Sequence, residues 1–202
     1  GIFTSQLEHL CQSGPYCFND MDMLTVGMYN RGNVAIGKTC TDGEYRIQFS
    51  LWCLSGTPLI IGADIREMKP EMKELLLNTD LIRINQDEEC RPPCLLGKRS
   101  VAVPETDREN AVEPIRMVKD QLYTFIKHLS HQEFVIAFYN LFEEEQEMNC
   151  IFADAGLPYG SGYGFHMRDI FTGEDLGVKR DYCLARVPGH DCKLYFCRLE
   201  KC

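Results

Sequence analysis

Apolar positions in the first part of the chain shift between helical and strand-like spacing, whereas the later part is strand-like throughout. Residues 1–13 carry Ile2, Phe3, Leu7 and Leu10 at a weak helical period, which Gly14 and Pro15 stop. The aromatic run "YCFN" is of strand type and ends at the acidic "DMDML". Residues 29–38, rich in Gly and Asn, read as a loop. Thr41 and Glu44 then have the spacing of a capping box, in which each side chain takes a free N–H of the first helical turn. The helix so predicted runs from Glu44 to about Leu54, with Tyr45, Phe49, Trp52 and Cys53 on one face, and Gly56 and Pro58 end it. "PLIIGADI" is a continuous apolar run bounded by Pro and Gly, the pattern of a strand buried on both faces. Pro70 suits the first turn of a further helix carrying Met72, Leu75 and Leu76, and "DLIRINQD" closes this part.

Strand, loop and helix therefore occur twice in succession, with Asp20, Asp22 and Asp64 just after the strands. Alternation of this kind predicts a parallel sheet with covered faces. In a β/α barrel, residues at the C-terminal ends of the strands face the active site. Near Glu89, at "ECRPPC", the composition changes. "QLYTFIKHL", "EFVIAFYNL", "NCIFADA", "FHMRDIFTG" and "CKLYFCRLE" are short β-rich segments separated by turn residues, as in an antiparallel sandwich. The predicted division is residues 1–89 as an α/β unit and 90–202 as an all-β domain. Residues 103–114 read as a polar, exposed loop, and Glu143 to Glu145 as a solvated hairpin tip.

Composition narrows the chemistry. A net charge of −9, with no polybasic run, argues against a nucleic-acid partner and favours a neutral or polar substrate. The longest apolar runs are too short to span a bilayer, and the chain opens at Gly1 without a signal-peptide pattern. Eleven cysteines is an odd count, without a C-x-x-C pair. Several lie in apolar runs, where a free thiol behaves as a small hydrophobe. The expectation is mostly buried free thiols in a reducing, cytoplasmic compartment, with no metal site. An EF-hand begun at Asp20 needs an oxygen ligand at Leu24 and a glycine at Thr25, so that reading fails. His128, His131, His166 and His190 lie in the β part with no nucleophile motif beside them, and read as structural. Asp64 reads as positioning the following helix, and the "YGSGYGF" loop as packing against the barrel.

"GPYCFNDMDML", "LWCLSGTPLIIGADIR" and "LIRINQDEECRPP" together resemble the later part of the retaining α-galactosidases of glycoside hydrolase family 27. "KHLSHQEFVIAFYNL", "GLPYGSGYGF" and "VPGHDCKLYFCRLEK" are similar to the β domain of its bacterial members. The resemblance implies the C-terminal portion of a (β/α)8 barrel followed by an antiparallel β-sandwich. It places the seventh barrel strand in residues 16–24 and the eighth in 59–61. A full barrel takes about 250 residues, so residues 1–89 have room for the last two βα units, and the N-terminal barrel strands are expected to be missing.

The family's two catalytic aspartates sit on earlier strands. The resemblance thus implies no catalytic residue on this chain and a sugar-facing, substrate-binding role for Asp22 and Met23; Asp20 itself reads as orienting the loop. Phe18 stands where the family usually has Trp, and Met21 where it has Pro. No cofactor is implied, since carboxylate chemistry on a glycoside needs none. The implied activity is hydrolysis of terminal α-galactosyl residues by the complete enzyme, with the isolated chain inactive. The alternative is a non-catalytic carbohydrate-binding or scaffolding protein derived from that enzyme, or a subunit whose missing strands come from another chain.

Overall fold

The computed structural model describes residues 2–30, 39–104 and 116–202. The loops expected over 29–38 and 103–114 therefore lie outside the described residues except at their ends. The helices are α1 (Ile2–Gln6), α2 (Asp42–Ser55), α3 (Pro70–Leu76) and α4 (Thr79–Asn85). Eight strands follow: β1 (Cys94–Pro104), β2 (Arg116–His128), β3 (Glu133–Asn140), β4 (Gln146–Ile151), β5 (Tyr163–Asp169), β6 (Asp175–Lys179), β7 (Tyr182–Val187) and β8 (Asp191–Lys201). They form a six-stranded sheet in the order β1-β2-β3-β8-β5-β6 and a two-stranded sheet β4-β7, with every strand pairing antiparallel.

The period of two along the central strands sorts side chains into two cores. On β3, Val135, Ala137 and Tyr139 join the helices, while Ile136 and Phe138 face the two-stranded sheet. On β8, Cys192, Leu194 and Phe196 lie on the helix side, and Tyr195 and Cys197 on the other. Successive side chains of a strand point to opposite faces, and here both faces are covered, which makes these strands apolar at nearly every position. The architecture is thus three layers, helices on sheet on sheet, with the larger sheet shared by both cores.

Helix α2 forms because its first turn is capped as the spacing predicts. Thr41 Oγ1 accepts from the Glu44 N–H at 3.2 Å, and Glu44 Oε2 accepts from the Thr41 N–H at 2.7 Å. Gly56, at φ 69°, closes the other end in the left-handed region that glycine enters without strain. More of the helix is buried than its expected single face, because it lies against α3, α4 and β8: Ile47, Ser50, Leu51, Leu54 and Ser55 are covered as well. Arg46 on this helix pairs with Asp191 at the start of β8, and Lys127 of β2 donates to the Leu54 carbonyl at 2.8 Å. Asn78 caps α4 and also donates to the Ile170 carbonyl at 3.3 Å, another tie between the helices and the sheet.

The two barrel strands are reduced to a single parallel bridge between Leu24 and Ile61. The Leu24 N–H donates to the Ile60 carbonyl at 2.8 Å, and the Gly62 N–H to the Leu24 carbonyl at 2.9 Å, the slanted pattern of a parallel ladder. Residues 16–19 do not form the expected strand, and Ile60 and Ile61 are exposed rather than buried on both faces. Two short parallel segments lacking further neighbours among the described residues have too few ladder bonds to extend. Glu143, Glu144 and Glu145 are exposed as expected, but they lie on a crossover between the two sheets and not at a hairpin tip. Tyr159 and Tyr163 of the Gly-rich loop are exposed, contrary to the expected packing against the barrel.

Candidate functional site

The segment that carries Asp22 is held by α2 and the turn after it. Met21 is fully buried and its N–H donates to Thr57 Oγ1 at 3.1 Å, while that hydroxyl donates to the Asn19 carbonyl at 2.7 Å. Asn85 Nδ2 reaches the Thr57 carbonyl from α4 at 2.9 Å. Trp52 Nε1 donates to the Asp22 carbonyl at 2.8 Å, and Gln48 Oε1 accepts from both the N–H and the hydroxyl of Thr25 at 3.0 Å. Three side chains of one helix and its C-terminal turn thus fix both flanks of the acidic pair.

Asp22 itself is in the left-handed region, at φ 68°, a conformation that costs an ordinary residue roughly 1–2 kcal/mol and that Asp and Asn tolerate best. Its N–H donates to Asp20 Oδ1 at 2.8 Å, and its own Oδ1 accepts from the Met23 N–H at 2.7 Å. Asp20 orients the loop through that first bond. The remaining oxygen of Asp22 has no partner among the described residues and the residue is exposed, as is Met23. Below Met23 the chain passes Gly62 closely: a Cβ on Gly62 would lie 3.2 Å from Met23 Cβ and 3.3 Å from the Leu24 carbonyl oxygen. Met23 and Gly62 are therefore matched, and a side chain at 62 requires the Met23 side chain and the Leu24 carbonyl to give by a few tenths of an ångström.

Asp20 and Asp22 stand on one tight turn, with the Asp22 N–H donating to the Asp20 carboxylate, which is the geometry of a clamped loop rather than of two carboxyl groups facing a bond from either side. Asp64 caps the short 3-10 turn Ile65–Glu67, accepting from the Arg66 N–H at 3.0 Å, so it positions the next element as the sequence implied. The Arg66 guanidinium bonded to it holds that carboxyl down at about 2. Among the histidines, His166 lies between Asp175 and Glu200 at 2.7 and 2.9 Å, and these bonds raise its pKa. His190 sits between Glu44 and Glu143. His131 and Gln132 both take positive φ in the turn between β2 and β3. Among the described residues, no group of three or more His, Cys, Asp or Glu is placed to hold a metal ion.

The sequence singles out Asp22 and Met23 as candidates but not Gln48, Trp52, Thr57 and Gly62, which set the geometry of that loop. Trp52 is the one tryptophan of the chain, and its signal was confined to helix periodicity. A polar donor on an otherwise buried helix face is visible as a departure from apolar spacing only once the partner carbonyl is known.

Two family profiles match the chain in order: alpha galactosidase A over residues 2–87, and the alpha galactosidase C-terminal beta sandwich domain over residues 119–197. The chain belongs to the α-galactosidase family. Alpha-galactosidase 3 of Arabidopsis thaliana is 30% identical over 184 residues, covering 91% of this chain and 36% of that protein. The alpha-galactosidase of Cyamopsis tetragonoloba is 28% identical over 183 residues, with 91% of this chain and 37% of that protein covered. The chain thus spans little more than a third of the length of these curated relatives. The structure of Saccharomyces cerevisiae α-galactosidase with raffinose superposes with a TM-score of 0.78 at 19% identity, over 98% of this chain and 51% of that one, and shows the shared fold.

Proposed function

We propose that residues 1–89 supply one wall of the sugar pocket of a retaining α-galactosidase, and that residues 90–202 are its C-terminal β domain. The observation that carries this reading is Asp22. It is an exposed carboxylate with one oxygen unengaged among the described residues, held in a left-handed turn by Trp52, Thr57 and Asp20 beside the exposed Met23. An acid clamped by its backbone and open at its side chain is pre-organised to accept hydrogen bonds from sugar hydroxyls at little ordering cost. Met23 offers an apolar surface beside it.

On this reading the complete enzyme takes a terminal α-linked galactoside and proceeds through a covalent galactosyl intermediate. Retention needs a nucleophile and an acid/base about 5 Å apart, both contributed by earlier barrel strands and not by Asp20 or Asp22. The role of this chain in the reaction is binding and orientation. Its eleven free cysteines suit a reducing, cytoplasmic setting, and no helix among the described residues is long and apolar enough to cross a membrane.

The test is Asp22→Asn in the complete enzyme, a change that keeps the side-chain shape and tolerates the left-handed backbone. A hydrogen bond to a charged group contributes about 1.5–3 kcal/mol, so kcat/KM for a nitrophenyl α-galactoside falls roughly ten- to a hundredfold with Tm nearly unchanged. Near-normal kcat/KM beside a clear loss of Tm shows instead that the acid serves the fold. The purified 202-residue chain is expected to give no turnover of the same substrate. Turnover at rates typical of enzymes would refute the placement of the catalytic carboxyls elsewhere.

A further inference from the structure

On the two-stranded sheet, Cys150 of β4 and Cys183 of β7 stand directly opposite each other in register. Both are buried and both belong to the core between the two sheets, so their side chains lie on the same face. Opposed residues of an antiparallel pair have Cα atoms about 4.5–5.5 Å apart, inside the 4.4–6.8 Å that a disulfide spans. The other buried thiols are differently placed. Cys192 contacts Ser50 Oγ at 3.5 Å, Cys197 donates to the Tyr195 carbonyl at 3.5 Å and is opposite Phe134 and Met167, and Cys53 lies within α2.

Cys150 also lines a cleft of about 280 Å³ between β1–β2 and β4, together with Lys98, Thr124, Asn149 and Asp154. That cleft opens to solvent along the edge of β4, whose only ladder partner among the described residues is β7. β4 and β7 share a single ladder, so exposing Cys150 breaks fewer backbone hydrogen bonds than opening the six-stranded sheet. A hydrogen bond from Cys183 draws the Cys150 thiol below the ordinary range, and the same contact raises Cys183. Cys150 lines the cleft and Cys183 does not, so Cys150 is the thiol that a solvent-borne reagent reaches, as the attacking thiolate.

We propose that Cys150 and Cys183 form a two-thiol oxidation site that takes a low-molecular-weight disulfide such as oxidised glutathione. The Cys150 thiolate attacks one sulfur of the small disulfide, forming a mixed disulfide and expelling one thiolate, which takes up the proton released from Cys150. The Cys183 sulfur then attacks Cys150 Sγ and expels the second small thiol, which leaves with the Cys183 proton. Two protein thiols are oxidised to one cross-strand disulfide, and one small disulfide is reduced to two thiols. The bond pins β4 to β7 across the core.

The experiment treats the reduced, folded chain with oxidised glutathione, alkylates the remaining thiols and maps the peptides by mass spectrometry. The expected product joins the Cys150 and Cys183 peptides, less two hydrogens, and reverts with dithiothreitol. In Cys183→Ala the expected product is a stable glutathione adduct on Cys150, and in Cys150→Ala an unmodified Cys183. Recovery of both residues alkylated, while the exposed Cys11, Cys17, Cys94 or Cys202 carries glutathione, overturns the proposal. So does a Cys183–Cys197 linkage, or an adduct on Cys183 when Cys150 is replaced.

Discussion

Lys127 is the least expected residue in the interior. It follows Tyr123 and Phe125 on the helix-facing side of β2 and is 1% exposed, with its ammonium against the Leu54 carbonyl at the C-terminal end of α2. A cation suits that end of a helix, where carbonyls lack intrahelical partners. Burial nevertheless lowers its pKa to about 8, against an opposing pull from Asp87. Asp87 is itself held below its usual range: burial pushes it up, but the Ser130 hydroxyl and N–H, at 2.7 and 2.9 Å, more than offset that. For Lys127 the sign follows from proton counting. Between pH 8 and 10.5 the unfolded chain keeps this proton and the folded chain has released it, so the residue's contribution to stability rises with pH across that window. The penalty is fully present below pH 8. The shift corresponds to about 3 kcal/mol, and the check is a pair of denaturation series on wild type and Lys127→Met. The stability of wild type relative to the variant should rise by roughly that amount from pH 7 towards 10.5. Buried Tyr groups titrate alike in both proteins and cancel in the difference, whereas Cys53, which Lys127 pulls down against its burial, titrates higher in the variant.

At the scale of elements, two ties decide whether helices and strands hold their places. The Thr41 cap satisfies a free N–H at the start of α2, the helix that carries Gln48 and Trp52 to the acidic loop. Thr41→Ala is expected to cost about 1 kcal/mol, read as a lower midpoint in urea with an unchanged slope. Asn140, at the end of β3, is fully buried and donates from Nδ2 to the carbonyls of Glu144, Val187 and Pro188 while accepting from the Phe142 N–H. One side chain thus joins the crossover into β4 to the turn between β7 and β8. Asn140→Ala leaves these backbone groups without their partner, and each such buried group costs about 1–3 kcal/mol. The expected loss exceeds that of Thr41→Ala, measured in the same urea series; a smaller loss would mean that water replaces the amide.

The molecule as a whole is unevenly covered. The six-stranded sheet is buried on both faces at its centre, whereas Tyr16, Phe18, Met23, Ile60, Ile61 and Ile65 are exposed along the segments of the Leu24–Ile61 bridge. Grouped apolar residues beside a parallel edge with no further ladder partner among the described residues favour association. Sedimentation of the purified chain is expected to show concentration-dependent self-association, reduced by Ile60→Lys. A monodisperse monomer at all concentrations would show that this edge is protected in solution.

Elements whose signals are local were legible in the amino-acid order. The Thr41–Glu44 cap, the glycine stop at Gly56, Pro70 opening α3 and the strand character of β2, β3, β4, β5 and β8 depend on spacing within a few residues. The family resemblance was legible too, because several motifs occur in order. β1, β6 and β7 escaped notice: β6 and β7 are short and half polar, and β1 holds Gly97, Lys98 and Arg99 in its middle. The expectation of mostly buried thiols met five buried cysteines, one half-buried and five exposed. Long-range packing covers α2 on more than one side, leaves residues 16–19 outside any strand, and brings Trp52 to Asp22, Thr57 to Met21 and Gln48 to Thr25. Each depends on partners distant in the chain, which local spacing does not encode. Pairing across strands placed Cys150 opposite Cys183, and the layering of helices on the sheet set Lys127 under the last turn of α2. Both arise from contacts made only when the sheet closes.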